Sequence, residues 1–409
     1  MAPSEPSEEA LRSTSRRHRG LGRWPLVAAI AVALSASVAP VASAHASSTT
    51  PPVGGPDHIF YIMMENHAYN QIIGNTTDAP FINQLASQSK LASAFHGVTH
   101  PSLPNYLAAI SGDFQGIWDD CQAGATITCA PEEFVPTSGD GTSSTLLTPE
   151  QIASASATPH SFSGKNLVDQ LEAKGLSWKA YMENLPAPGA QDVYAPVING
   201  TTVKLYAQKH NPFMYFSDIN YPGSPRLNKI VPFESNFAND LTTGHVPRFS
   251  FISPNQCHDM HGISASTAAL IGLPGCGFPD SGLDHGAIQL GDQWLRQTIR
   301  QIEQSATWQN SNSEILIAWD ENDYSTDTTG GPGSPTGQNG VVLGGGTAPL
   351  IVVSSQDNGP VVNNTLLDHY NTLYAIEQMW HLGCLANTCT ITNGNQFMNL
   401  FTDNSNSQN

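Results

Sequence analysis

Basic residues are scarce in this chain beyond its N-terminus. Five arginines (Arg12, Arg16, Arg17, Arg19 and Arg23) fall in the first 46 residues, and from Ser47 onward 11 lysines and arginines face 31 aspartates and glutamates, a net charge near −20. That sign excludes binding to nucleic acid or to an anionic membrane by bulk charge, and a negatively charged substrate has to be drawn in by something local such as a metal ion. Long hydrophobic runs are also missing after the N-terminus: none approaches the roughly 20 residues of a helical span, so no stable membrane insertion is expected. No CxxC pair suggests zinc, no internal repeat is present, and nothing points to a lipid-binding module or an obligate protein partner.

What is present begins with an arginine-rich start, an apolar run from Pro25 to about Val41 and the small residues Ala42-Ser43-Ala44, the pattern of a secretory signal peptide over 1–46. Ser15-Arg16-Arg17 is compatible with twin-arginine export, although His18 and Arg19 depart from that pattern, so the route is Sec or twin-arginine. An even count of six cysteines in an exported chain reads as disulfides. Their spacing makes neighbours of Cys121 and Cys129, Cys257 and Cys276, and Cys384 and Cys389, one of the 15 connectivities that six cysteines allow. The expected organisation is a polar lead-in over 47–57, a single domain with long loop insertions over 58–403, and a polar tail over 404–409.

Within that domain, strands alternate with helices. His58 to Met64 is a near-continuous apolar run, the mark of a strand buried on both faces of a parallel sheet. Further strands are expected near Leu91 to Phe95, Ser177 to Met182, Arg248 to Ser253, Glu314 to Trp319 and Pro349 to Ser354. Helices are expected over Asp78 to Ser87, from the Pro104 turn onward, from a Ser163 cap to Lys174, over His285 to Gln304 and over Leu366 to Leu382. Gly112 to His160 reads as a long excursion closed by Cys121 and Cys129, and Pro186 to Thr242 as irregular and aromatic. Alternation of this kind predicts an α/β fold with helices on both faces of a mostly parallel sheet.

The chemistry gathers at strand ends. Glu65-Asn66 and Asp320-Glu321 each follow an apolar strand directly, and ligands of open parallel sheets bind outside the carboxyl ends of the strands. In His100-Pro-Ser-Leu-Pro-Asn-Tyr106, Ser102 precedes a proline suited to a first helical turn, which places its hydroxyl beside unpaired N–H groups that attract phosphate. A turn and cap before an apolar helix explains that stretch alone equally well. With the two carboxylate pairs it becomes a hard, oxygen-rich site for Mg²⁺, Ca²⁺ or Mn²⁺, with Zn²⁺ also compatible, and Ser102 becomes a nucleophile toward phosphorus. His210, His258, Asp259 and His261 are candidates for holding phosphoryl oxygens or protonating the leaving alcohol. Asp284-His285-Gly286 reads as a helix cap, and His369 as either a helix-start residue or a support behind the site.

Six stretches in order carry a family resemblance: Met63 to His67, Thr99 to Tyr106, Tyr181 to Pro186, Pro254 to His261, Trp319 to Asp323 and Asp368 to Tyr370. Together they resemble the bacterial and fungal phosphoesterase family, which contains acid phosphatases and phospholipases C; the short secreted phosphatases are the nearest in pattern. The resemblance implies an alkaline-phosphatase-like three-layer α/β/α sandwich and a covalent phosphoserine. It implies metal binding by Glu65, Asn66, Asp320, Glu321 and Ser102, a phosphate contact from Asn105, and substrate or leaving-group roles for His210, His258, Asp259 and His261. Asp320-Glu321 stands where bimetallic relatives carry Asp-His. The expected activity is a secreted metal-dependent phosphomonoesterase, with phosphodiesterase or phospholipase C action on phospholipid head groups as the alternative. The expected partner is accordingly a small phosphate ester or such a head group.

Overall fold

Strand β1 (His58–Met64) is the line about which the sheet is built, because six of its seven residues are apolar and fully buried and so need cover on both faces. The computed structural model describes residues 55–132, 134, 146–323, 327–356, 359–392 and 400. The expected leader, most of the lead-in and the tail lie outside the described residues. The other strands are β2 (Lys90–His96), β3 (Trp178–Met182), β4 (Tyr194–Ile198), β5 (Thr201–Ala207), β6 (Ile230–Pro232), β7 (Phe249–Ser253), β8 (Ser313–Trp319), β9 (Thr347–Ser354), β10 (Val361–Asn363) and β11 (Leu367–Asp368). Eight of them run β10-β2-β9-β8-β1-β7-β3-β6 across one sheet, to which β11 adds beside β2, while β4 and β5 form a separate hairpin.

Every pairing in the large sheet is parallel except those of β9, which runs against both β8 and β2. A parallel neighbour needs a crossover that returns the chain to the other end of the sheet. The segment after β8 makes no such return: Asn322 N–H donates to Gly345 C=O, and Gly345 N–H to Gly97 C=O, so the chain is still at the carboxyl edge when β9 begins. Seven of the described helices fall into two sets, each held together by contacts among its own members. Pro80–Gln88, Phe233–Thr243, His285–Glu303 and Ala306–Asn310 make one, and Ser102–Ser111, Leu167–Ala173 and His369–Met379 the other. Three layers result, as the sequence predicts, and each Ile, Leu or Phe removed from water between them contributes about 1.5–3 kcal/mol.

Local chemistry shifts several boundaries. The helix expected from a Ser163 cap starts at Leu167, because Asn166 accepts from Val168 N–H while Asp169 accepts from Asn166 N–H. The excursion after Gly112 holds a helix at Pro149–Ala157 capped by Thr148, and the segment read as irregular holds β4, β5, β6 and the Phe233–Thr243 helix. Asp284 caps the His285–Glu303 helix through Ala287 N–H, as expected. All three neighbouring cysteine pairs form disulfides. No helix among the described residues is long and apolar enough to cross a membrane.

One buried acid away from the strand ends gives the fold a pH signature. Glu377, fully buried in the His369–Met379 helix, accepts from Gln170 Nε2 at 3.1 Å, and burial pushes its carboxyl up from 4.5 to about 7. The folded state therefore holds this proton more tightly than the unfolded chain, so its contribution to stability falls as pH rises from about 4.5 to about 7 and is flat beyond. Glu377→Gln removes the ionisation, and urea denaturation at pH 5 and pH 8 should show the variant losing less stability between them than the wild type. Equal losses in both proteins would refute the assignment.

Candidate active site

Register brings the first two carboxylates together. Met64 pairs with Trp319 across the β1–β8 ladder, so Glu65 and Asp320 leave the sheet side by side, and Asp320 N–H still donates to Met64 C=O at 2.9 Å. Asn66 takes a left-handed turn (φ 55°), and its N–H donates to Asp320 Oδ1 at 3.0 Å. Glu65, Asp320 and Glu321 are all buried, at 0%, 0% and 4% exposure.

Ser102 arrives on the first turn of the Ser102–Ser111 helix, an element buried along its whole length. Its hydroxyl lies 2.9 Å from Glu65 Oε2 and 3.2 Å from Glu321 Oε1. Asn105, one turn on, holds the approach to the serine: Oδ1 accepts from Val98 N–H at 2.7 Å and Thr99 N–H at 3.3 Å, and Nδ2 donates to the carbonyls of Thr99 at 2.7 Å and Pro101 at 3.2 Å. Both ends of its amide bond the backbone, and Nδ2 also reaches Glu321 Oε2 at 3.5 Å, so Asn105 ties the approach to the serine to the carboxylates.

Lys209, His100 and His210 surround the carboxylates, and the first two were not singled out from the sequence. Lys209 Nζ donates to Ser102 Oγ at 3.2 Å and to Asp120 Oδ2 at 2.7 Å, and Asp120 Oδ1 accepts from Leu103 N–H at 3.0 Å. His100 Nδ1 lies 2.6 Å from Glu321 Oε2. The third is His210, with Nε2 3.0 Å from Glu65 Oε1, Nδ1 3.2 Å from Asp259 Oδ2, and its ring stacked on Tyr106 at 5.1 Å. The signal available for Lys209 was its rarity, a lysine beside a candidate histidine in a strongly acidic chain.

The proton affinities follow from this crowding. Burial works to raise the Glu65 carboxyl, but His210 and Lys209 outweigh it and hold the group below its usual range. Burial and then the charges of Glu65 and Glu321 push Asp320 well up, and Asp320 Oδ2 has no hydrogen-bond partner among the described residues. Burial alone would discharge His210, yet Glu65 and Asp259 raise it to about 9, so it sits as a cation between two carboxylates. Burial raises Asp259 to about 6 against the pull of His210. Lys209 is raised, because Asp120 and Glu65 overcome its burial.

The contacts set the candidate histidines apart from one another. His210 has both ring nitrogens facing carboxylates, and Asp259 faces His210 and accepts from His261 N–H at 2.8 Å, so both position the site. Burial and the neighbouring Lys209 lower His261 to about 4, leaving a neutral ring whose Nε2 lies 3.4 Å from Lys209 Nζ. His258 is turned elsewhere, with Nδ1 2.8 Å from Glu183 Oε1 and its ring stacked on Trp294. His369 fills both roles left open: it is the first residue of its helix, and its Nε2–H donates to Asp320 C=O at 2.6 Å.

Comparison with known proteins finds a family and several relatives. The sequence pattern of the Phosphoesterase family matches residues 75–271 and 279–383. An acid phosphatase of Aspergillus fumigatus is 27% identical over 330 residues, covering 81% of this chain and 56% of the relative. A probable acid phosphatase of Kluyveromyces lactis is 26% identical, covering 82% of this chain and 63% of the relative, so the chain spans under two thirds of either fungal protein. A phosphatidylinositol-3-phosphatase of Mycobacterium tuberculosis is 28% identical, covering 80% and 77%. Among solved structures, a Vibrio parahaemolyticus protein in the alkaline phosphatase superfamily aligns at 10% identity over 82% of this chain and 68% of its own, with a TM-score of 0.44.

The Asn105 network yields a direct test. Asn105→Ala strips four backbone partners in a buried loop and should lower stability by about 2–4 kcal/mol in chemical denaturation, together with a loss of turnover. A variant as stable as the wild type would make Asn105 a ligand contact instead.

Proposed function

The chain belongs to the phosphoesterase family, and from that premise we propose that it is an exported, metal-dependent phosphomonoesterase of the acid phosphatase type that works through a phosphoserine at Ser102. One observation carries the reading: a buried serine hydroxyl lies between the carboxylates of Glu65 and Glu321 and accepts from the ammonium of Lys209. The names of the relatives, two fungal acid phosphatases and a mycobacterial phosphatidylinositol-3-phosphatase, support the same class of bond. Three disulfides in the described chain, with the arginine-rich apolar leader, support export to an oxidising compartment.

The donor set suits a hard divalent cation. Glu65, Asp320 and Glu321 present carboxylate oxygens, Asp320 Oδ2 among them without a partner, and Ser102 Oγ adds a hydroxyl oxygen; Asn66, whose N–H donates to Asp320, is the neighbouring residue whose amide oxygen would join them. The only trio of His, Cys, Asp or Glu donors among the described residues that closes to within 4.8 Å is Asp119, Cys121 and Cys129. Its sulfurs are joined to each other, which removes it as a metal site, and the three carboxylates at Ser102 are more widely spread. A cation held there would lower the affinity of Ser102 for its proton and neutralise a phosphoryl oxygen.

The protein's own groups account for the rest. The Ser102 proton leaves toward one of the two flanking carboxylates as Oγ attacks phosphorus, and the phosphorus–oxygen bond to the alcohol breaks. The alcohol leaves with a proton from solvent. Water then attacks the phosphoserine, the bond from phosphorus to Oγ breaks, and the serine regains its proton as phosphate departs. Lys209, held by Asp120 against the nucleophile, lies where negative charge develops in both steps.

Three outcomes are expected. Ser102→Ala should cut turnover of a phosphomonoester by about 10³-fold or more with the fold intact by circular dichroism, and an active variant would end the proposal. Lys209→Met should lower kcat by about 10²–10³-fold, with partial recovery in Lys209→Arg. Protein stripped by chelator should lose turnover and regain it with Mg²⁺, Ca²⁺, Mn²⁺ or Zn²⁺; undiminished turnover after stripping would remove the metal, and preference for a matched diester would replace monoester by diester.

A further inference from the structure

A cavity of about 590 Å³ adjoins the nucleophile, with Lys209 and His261 in its wall. Since Lys209 Nζ is 3.2 Å from Ser102 Oγ and 3.4 Å from His261 Nε2, one side chain separates this space from the reacting oxygen. Such a volume falls within the roughly 300–1,000 Å³ of small-ligand sites, far more than a phosphoryl group alone fills. The wall is mixed. Thr202 and Gln256 offer a hydroxyl and an amide, while Tyr194 and Phe278 offer rings, a combination suited to the faces and edges of a hydroxylated ring.

The charge on the wall is more selective than its polarity. Asp120 is already engaged by Lys209 and Leu103 N–H. Lys204, on β5, also lines the cavity and holds its ammonium 4.3 Å from the centroid of the Tyr194 ring. No carboxylate oxygen among the described residues lies within 4.0 Å of it. Glu132 is the remaining acid of the wall: partial burial, Asp120 and Asp119 raise its pKa, while Lys209 and Lys204 pull it down, so Lys204 feels this acid without pairing with it. In a chain this poor in cations, a second lysine facing the same cavity as the one at the nucleophile marks that wall for an anion.

We propose that this cavity receives the leaving alcohol, and that Lys204 makes the enzyme favour phosphomonoesters whose alcohol is ring-sized, hydroxylated and bears its own anionic group, a carboxylate or a second phosphate. The proposal rests on the phosphomonoesterase reading above. Binding the remote anion at Lys204 and the scissile phosphoryl group beside Lys209 fixes the ester at both ends, so the gain appears in kcat/KM.

The test compares kcat/KM for glucose 1-phosphate and glucuronic acid 1-phosphate, two pyranose rings that share one scissile phosphate and differ by a remote carboxylate, in wild type, Lys204→Met and Lys204→Arg. The wild type should prefer glucuronic acid 1-phosphate by about tenfold, the size of one charge-assisted contact. Lys204→Met should bring the ratio close to one, and Lys204→Arg should restore most of it. Repeating the pair with glucose 1,6-bisphosphate, scored by release of the 1-phosphate, should show the same loss in Lys204→Met and separates a phosphate partner from a carboxylate one. A wild type without preference, or a Lys204→Met variant that keeps the wild-type ratio, overturns the assignment while the hydrolysis itself stands. Failure of the wild type on both sugars and on 4-nitrophenyl phosphate overturns the phosphomonoesterase reading, and this one with it.

Discussion

Three carboxylates buried at two adjacent strand ends, two of them within reach of one serine, are an electrostatic liability, and most of what surrounds them offsets it. Like charges taken out of water repel strongly, and removing them from solvent costs several kcal/mol each even after relaxation. His210, Lys209 and His100 each come within 3.5 Å of this cluster, and each belongs to a loop outside the sheet. Those loops are themselves fastened: Asp120 ties Lys209 to the first turn of the serine helix, Asp259 holds the far side of His210, and Asn105 sets the loop that carries His100. The insertions that look dispensable from the standpoint of the sheet are where the compensation comes from.

How much of this was legible in the sequence depended on whether the signal was local. β1 and β8 could be read because an unbroken apolar run ends abruptly in Glu65-Asn66 and in Asp320-Glu321, and the rule that sites lie at the carboxyl ends of strands then joined two distant segments. The register that sets Glu65 beside Asp320 was not needed for that inference. The direction of β9 was not legible, because a strand's composition records its burial and not which way it runs; that is decided by whether the preceding segment crosses the sheet.

The side-chain roles were harder, for a related reason. His258, Asp259 and His261 lie within four residues, but the turn after β7 points them to different neighbours, His258 to Glu183 and Asp259 to His210. Adjacency in sequence implied a task shared by all three, whereas only Asp259 and His261 stay beside His210 and Lys209. Lys209 escaped notice beside His210, because a lysine is ordinarily a solvated surface group and only the fold shows it buried against a serine. Asp120 depends on a chain of contacts through a disulfide-closed loop, and no pattern of residue types announces that.

The wall of the cavity is built differently from the floor. Its hairpin pairs with no strand of the large sheet, and Val203 and Leu205 bury themselves with Ile263, Ala268 and the Cys257–Cys276 bridge in a small cluster of their own. A substitution there meets that cluster before it meets the core under Glu65 and Asp320. Selection can therefore reshape what the cavity admits while the hydrolytic apparatus stays fixed, so divergence among such proteins should concentrate in this hairpin and the segment that follows β7, with the strand ends drifting least.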